Sequence, residues 1–99
     1  MKPLRFHPEA RQELRSTVVF YRDESPGLGR EFVRQVRIVL ERIGEWPESG
    51  SLEEEEKEIR RASLRRFPIT IVYRPGSEVV EVVAVMHQRQ RPGYWRDRL

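Results

Sequence analysis

Ile59-Arg-Arg-Ala-Ser-Leu64, Phe67-Pro-Ile-Thr-Ile-Val-Tyr-Arg74 and Val79-Val-Glu-Val-Val-Ala-Val-Met86 follow one another closely, joined by Arg65-Arg66 and by a turn at Pro75-Gly76-Ser77. Each run is rich in β-branched and aromatic residues, and both connections are of hairpin length, so the stretch predicts a three-stranded antiparallel meander. Side chains alternate along a strand. In the last run, Val80, Val82, Ala84 and Met86 therefore share one face, and Val79, Glu81, Val83, Val85 and His87 share the other. The first set is wholly apolar and is expected to lie under whatever covers the sheet.

The cover is supplied upstream. Leu4-Arg5-Phe6 reads as a short strand, and Pro8 suits the first turn of a helix, where its missing N–H is not needed. From Glu9 to Arg22, Ala10, Leu14, Thr17/Val18 and Tyr21 recur at helical spacing, and Asp23-Glu24 ends the helix. Ser25-Pro26 is an N-cap followed by proline at the first helical position; Leu28, Phe32, Val36, Val39/Leu40 and Ile43 continue the stripe to Gly44. So short a connection predicts a helical hairpin over residues 8–44. Trp46-Pro47-Glu48-Ser49-Gly50 breaks the second helix, and the acidic run Glu53 to Glu56 has no apolar period, so residues 45–57 are expected to be a surface loop. The resulting fold class is α+β, in the order β-α-α-β-β-β. The helical hairpin packs on one face of a small, mainly antiparallel sheet, and a short C-terminal extension follows.

The 99 residues suit a single domain (1–99) with a thin core. With no cysteine there is neither a disulfide framework nor a thiolate metal site, which fits a reducing cytoplasm. No apolar run approaches the roughly 20 residues of a membrane span, and the N-terminus lacks the apolar core of a secretion signal. No membrane partner is expected. Residues 1–58 carry 10 Lys+Arg against 13 Asp+Glu, while residues 59–99 carry 9 arginines against 3 acids. The C-terminal part thus suits an anionic partner, whether a phosphate backbone or an acidic peptide, since arginine's planar fork binds both.

Cleaving RNA through its own 2′-hydroxyl takes a base, an acid and cations. His87, at the end of the last strand and on the face opposite the predicted core, is the best acid or base by its neutral pKa range. A lone histidine at a strand end is nevertheless more often a hydrogen-bonding or surface residue. Arg60 and Arg61 are adjacent on a strand, so only one shares a face with His87. Arg65 and Arg66 lie in the turn, and with Arg89 and Arg91 they form either a phosphate cluster or a cradle for an acidic helix. Tyr94 and Trp95 stack on bases, fill a partner's groove, or are pinned on their own core. The acidic run with two distant histidines has no metal-ligand spacing. Gly27-Leu28-Gly29 lacks a dinucleotide fingerprint, and there is no Walker loop, nucleophile elbow or zinc motif. Neither a metal nor a cofactor is expected.

The strand leading to Pro8-Glu-Ala10, the Tyr21…Ser25-Pro26 junction, Trp46-Pro47, Ile59-Arg-Arg61, Leu64-Arg-Arg-Phe-Pro-Ile-Thr-Ile-Val-Tyr73 and Val83-Ala-Val-Met-His87…Arg91-Pro-Gly-Tyr-Trp95…Arg98 resemble, in order and spacing, the RelE/ParE superfamily of type II toxin-antitoxin toxins. The last two are the most specific, and the ParE branch is the most similar. The resemblance implies a plasmid-stabilization-type toxin that causes growth arrest and is neutralised by a cognate antitoxin. It also implies that operator DNA is bound only through that antitoxin.

Two mechanisms compete within the superfamily. ParE-like proteins inhibit DNA gyrase by protein-protein contact, whereas RelE-like proteins are endoribonucleases that cut messenger RNA in the ribosomal A site. Lys57 is the only lysine after Lys2, so the lysines of the nuclease pattern are largely missing. If the chain is a nuclease, the resemblance points to His87, Arg61, Arg65, Arg89 and Tyr94 as catalytic. If it is a gyrase inhibitor, the target-binding set is Arg60, Arg65, Arg66, His87, Arg89, Arg91, Tyr94 and Trp95. A non-toxic binding module of the same fold is the third reading.

Overall fold

In the computed structural model, which describes residues 1–99, strand β1 is Leu4–Phe6 and helix α1 is Pro8–Glu24. Pro8 takes the first helical position, and the His7 Nδ1 accepts a hydrogen bond from the Glu9 N–H at 3.1 Å, satisfying one of the unpaired donors of the first turn. Ser25 serves two helices. Its extended backbone donates to the Tyr21 carbonyl (3.0 Å) and closes α1, while its Oγ accepts from the Leu28 N–H (3.1 Å) and opens α2, Pro26–Glu45. The helices can meet so close to this corner because residue 29 is glycine: a Cβ there would lie 2.8 Å from the Arg22 Cα.

The expected stripes are the ones that pack inward. Ala10, Phe32, Val36, Val39 and Ile43 are buried, with Leu14, Val18, Tyr21 and Leu40 packed around them, although Leu28 is left exposed. Beneath them is a five-stranded sheet in the order β1-β5-β4-β3-β2, where β2 is Ser51–Glu54, β3 Ile59–Ser63, β4 Ile69–Pro75 and β5 Val80–His87. β1 pairs parallel with β5, and all other pairs are antiparallel.

Two expectations need correction. Residues 45–57 are not simply a loop: Pro47–Ser49 form a 3-10 turn, and β2 then pairs with β3 at the sheet edge. β2 lacks a signal because Leu52 is its only apolar residue, and an edge strand held by backbone pairing and charge needs no apolar alternation. The buried phenol of Tyr73 anchors the turn by donating to the Pro47 carbonyl (2.7 Å) and accepting from the Gly50 N–H (2.9 Å).

The second correction concerns β5. Val72 pairs with Ala84 while Tyr73 pairs with Val82, so Val83 is an extra residue in a β-bulge, and the alternation inverts beyond it. Val80, Val82 and Val85 join the core under the helices. Val83, Ala84 and Met86 face the other way. There the C-terminal segment covers them: Trp95, only 1% exposed, packs with Ile59, Val72, Val83 and Ala84, and Tyr94 and Leu99 lie alongside. The sheet is therefore covered by helices on one face and by the chain's own tail on much of the other. No helix is long and apolar enough to cross a membrane.

Candidate functional site

The bulge decides where the candidate residues fall. His87 pairs across the ladder with Ile69, a residue of the core under the helices, so its ring lies on the α1 side and not on the open face. Arg61 pairs with Val72, whose side chain belongs to the opposite face. Arg60 does share the helix side with His87. It stands opposite Tyr73, however, four positions along β4 from Ile69, or roughly 13 Å at the usual rise per residue. His87 is thus not brought together with Arg60 or Arg61, and of the groups named for RNA cleavage it is Arg89 that stands beside it.

Each of these side chains has a local partner. Arg60 donates to the carbonyls of Gly50 (2.9 Å) and Glu48 (3.2 Å), holding the 3-10 turn, while its buried Nε has no hydrogen-bond partner. Arg61 is paired with Glu53 at 3.3 Å. It borders a trough of about 650 Å³ on the open face, together with Ser63, Thr70, Met86, Gln88 and Gln90. Arg66 holds a left-handed backbone (φ 70°), unusual for a side-chain-bearing residue, and reaches toward Glu31 at 3.9 Å. His87 organises the turn after β5: its Nδ1 accepts from the Arg89 N–H (3.0 Å), and its own N–H donates to the Gln90 Oε1 (2.8 Å). Arg65, Arg89 and Arg91 are exposed and carry no ion pair within the chain. Trp95 is withdrawn from the set expected to touch a partner, because its ring is buried against the chain's own sheet.

The sequence reading missed Glu13. One of its oxygens accepts from the Val85 N–H (2.9 Å) and the Arg98 Nη1 (2.9 Å), the other from the Tyr94 hydroxyl (2.8 Å) and the Arg98 Nη2 (2.8 Å). Arg98, whose side chain is 8% exposed, also donates to the Val83 carbonyl (3.0 Å). The cause lies in the topology. β1 accompanies β5 only from Val80 to Val82, and beyond that the β5 edge has no neighbouring strand; Glu13 and Arg98 satisfy its exposed backbone groups instead. Burial, then the adjacent Glu13 carboxylate, raise the Tyr94 phenol above its ordinary range. The Glu13 hydrogen bonds likewise raise the Arg98 guanidinium. Both groups stay protonated and remain donors at neutral pH. Nothing in local spacing marks Glu13, since its partners lie 72 to 85 residues away.

No group of three or more His, Asp or Glu side chains comes together in a way that would hold a metal ion. What the arrangement offers is a rigidly anchored tail, a polar trough, and unpaired arginines around the ends of β3 and β5.

A family described as "ParE toxin of type II toxin-antitoxin system, parDE" matches residues 4–92. Among solved structures, the fold is similar to one described as the chromosomal ParDE TA system from P. aeruginosa. The TM-score is 0.73 and the identity 15%, over 88% of this chain and 96% of that one. Among curated proteins the sequence finds no significant match.

Proposed function

We propose, for a chain that belongs to the ParE toxin family of type II toxin-antitoxin systems, that it stops growth in the cytoplasm by binding DNA gyrase and that a cognate antitoxin neutralises it. The observation that supports protein contact over RNA cleavage is the β5 bulge: it turns His87 toward α1 and leaves Arg61 on the other face, so that pair does not converge on one phosphate. The unpaired Arg65, Arg89 and Arg91 are suited instead to carboxylates on a partner. An antitoxin segment with apolar and acidic residues fits the open sheet face and the outer groove of the helical hairpin. That groove is about 340 Å³ and is lined by Val18, Arg22, Gly29 and Val33.

The test is a gyrase supercoiling assay with purified protein, run beside an A-site cleavage assay on programmed ribosomes. Loss of supercoiling with intact RNA is expected. Cut RNA with normal supercoiling would replace this reading with the nuclease one and return His87 and Arg61 to the centre of attention.

A further inference from the structure

Phe20 stands off the apolar stripe of α1 and is 59% exposed. Its ring is the outer end of an aromatic chain that runs into the core: it meets Tyr21 edge-on at 5.2 Å, and Tyr21 in turn meets Phe67 at 4.8 Å and Phe32 at 5.0 Å. An exposed aromatic backed by a ring of the core offers a large apolar surface of the kind that binding anchors use.

Beside Phe20, between α1 and the ends of β4 and β5, is a notch of about 300 Å³. Its walls are Thr17, Phe20, Tyr21 and Ile69, and His87 and Arg89 stand at its rim. No carboxylate lines it. The His87 Nδ1 is already an acceptor for the Arg89 N–H, so the neutral ring carries its proton on Nε2 and presents a donor. The Arg89 guanidinium has no ion pair in the chain. The chain's own tail does not fill the notch, because Trp95 anchors that tail on the opposite face of the sheet. An apolar seat, two donors and no acid complement an acidic segment that carries an apolar side chain next to a carboxylate.

We infer that this notch grips the target protein: an apolar side chain from an acidic segment of the target seats against Phe20 and Ile69, and its neighbouring carboxylate bonds to Arg89 and the His87 Nε2–H. The inference rests on the toxin reading above, but not on which protein is the target. The notch lies apart from the trough and the helical groove assigned to the antitoxin.

The test uses the full chain carrying Phe20→Ser, Arg89→Glu or Arg89→Lys, measured for growth arrest on induction, inhibition of gyrase supercoiling and melting temperature. Phe20→Ser and Arg89→Glu are expected to lower inhibitory potency by roughly tenfold or more each with melting unchanged, as at a binding hot spot. Arg89→Lys, which keeps the charge, is expected to retain most of the potency. Wild-type potency in both disruptive variants would overturn the proposal. So would variants that still arrest growth but escape neutralisation by the antitoxin, since they would give the notch to the antitoxin. If Phe20→Ser melts early, the exposed Arg89→Glu decides. A wild-type chain that arrests growth without inhibiting gyrase would remove the gyrase reading alone, and the growth-arrest comparison would still judge the notch.

Discussion

Glu13 satisfies four donors with one carboxylate: three belong to Tyr94 and Arg98 of the C-terminal tail, and the fourth is the N–H of Val85, beyond the last β5 residue paired with β1. Removing Glu13 leaves Arg98, in a nearly solvent-free position, with only the exposed Glu9 carboxylate, 3.6 Å from its Nε, as counter-charge. Charge-assisted hydrogen bonds of this kind are each worth roughly 1.5–3 kcal/mol, so Glu13→Ala is expected to cost about 3 kcal/mol and Arg98→Ala a similar amount. The two losses should overlap. In a double-mutant cycle by urea denaturation, the combined variant is expected to lose well under the sum, and full additivity would show that the two side chains do not act together. This hub was invisible in the sequence for the same reason that His87 was misplaced. A pairing across most of the chain leaves no periodic trace, and a bulge that adds one residue inverts every later side chain while leaving the hydrophobic run Val82 to Met86 looking continuous. Phe20 was legible in principle: it is the large aromatic of α1 that lies off the stripe through Ala10, Leu14 and Tyr21.

The helices were legible almost to their ends because two signals agreed, apolar positions at helical spacing and a Ser-Pro boundary. Ser25 is the only residue between α1 and α2, and its hydroxyl caps α2. Ser25→Ala is expected to lower stability by about 1 kcal/mol, which corresponds to a drop in melting temperature of roughly 4–8 °C for a domain of this size. An unchanged melting curve would mean that Pro26 alone sets the corner. β2 shows the reverse case. Its four residues are polar but for Leu52, and its two acids pair with arginines from other elements, Glu53 with Arg61 and Glu54 with Arg96. A strand specified by its neighbour's backbone and by long-range charge leaves nothing for a periodicity to report.

For the molecule as a whole, Glu31 is one contributor to acid sensitivity. Hydrogen bonds from Arg34 first and Gln35 next, aided by the charges of Arg34 and Arg66, hold its carboxyl down at about 2. A carboxyl lowered on folding contributes stability that is complete above its unfolded value, about 4.3, and is lost as pH falls through the folded value. Glu31→Gln should therefore flatten the acid limb of a stability-versus-pH curve between about pH 4.3 and 2, and the difference should shrink in salt because Arg34 is largely exposed. An identical acid limb in the variant would assign the loss to other carboxylates.

β5 lies between β1 and β4, so the first strand made has no neighbour until one of the last segments arrives. Long-range pairing of this kind is slow to form and has to wait for its partner. Growing from its N-terminus, a nascent chain carries α1, α2 and most of the sheet before Val80 is added. Yet it has neither the His87 and Arg89 rim of the notch nor the Arg98 that anchors the tail to Glu13. An interrupted or truncated translation product is therefore left without these features.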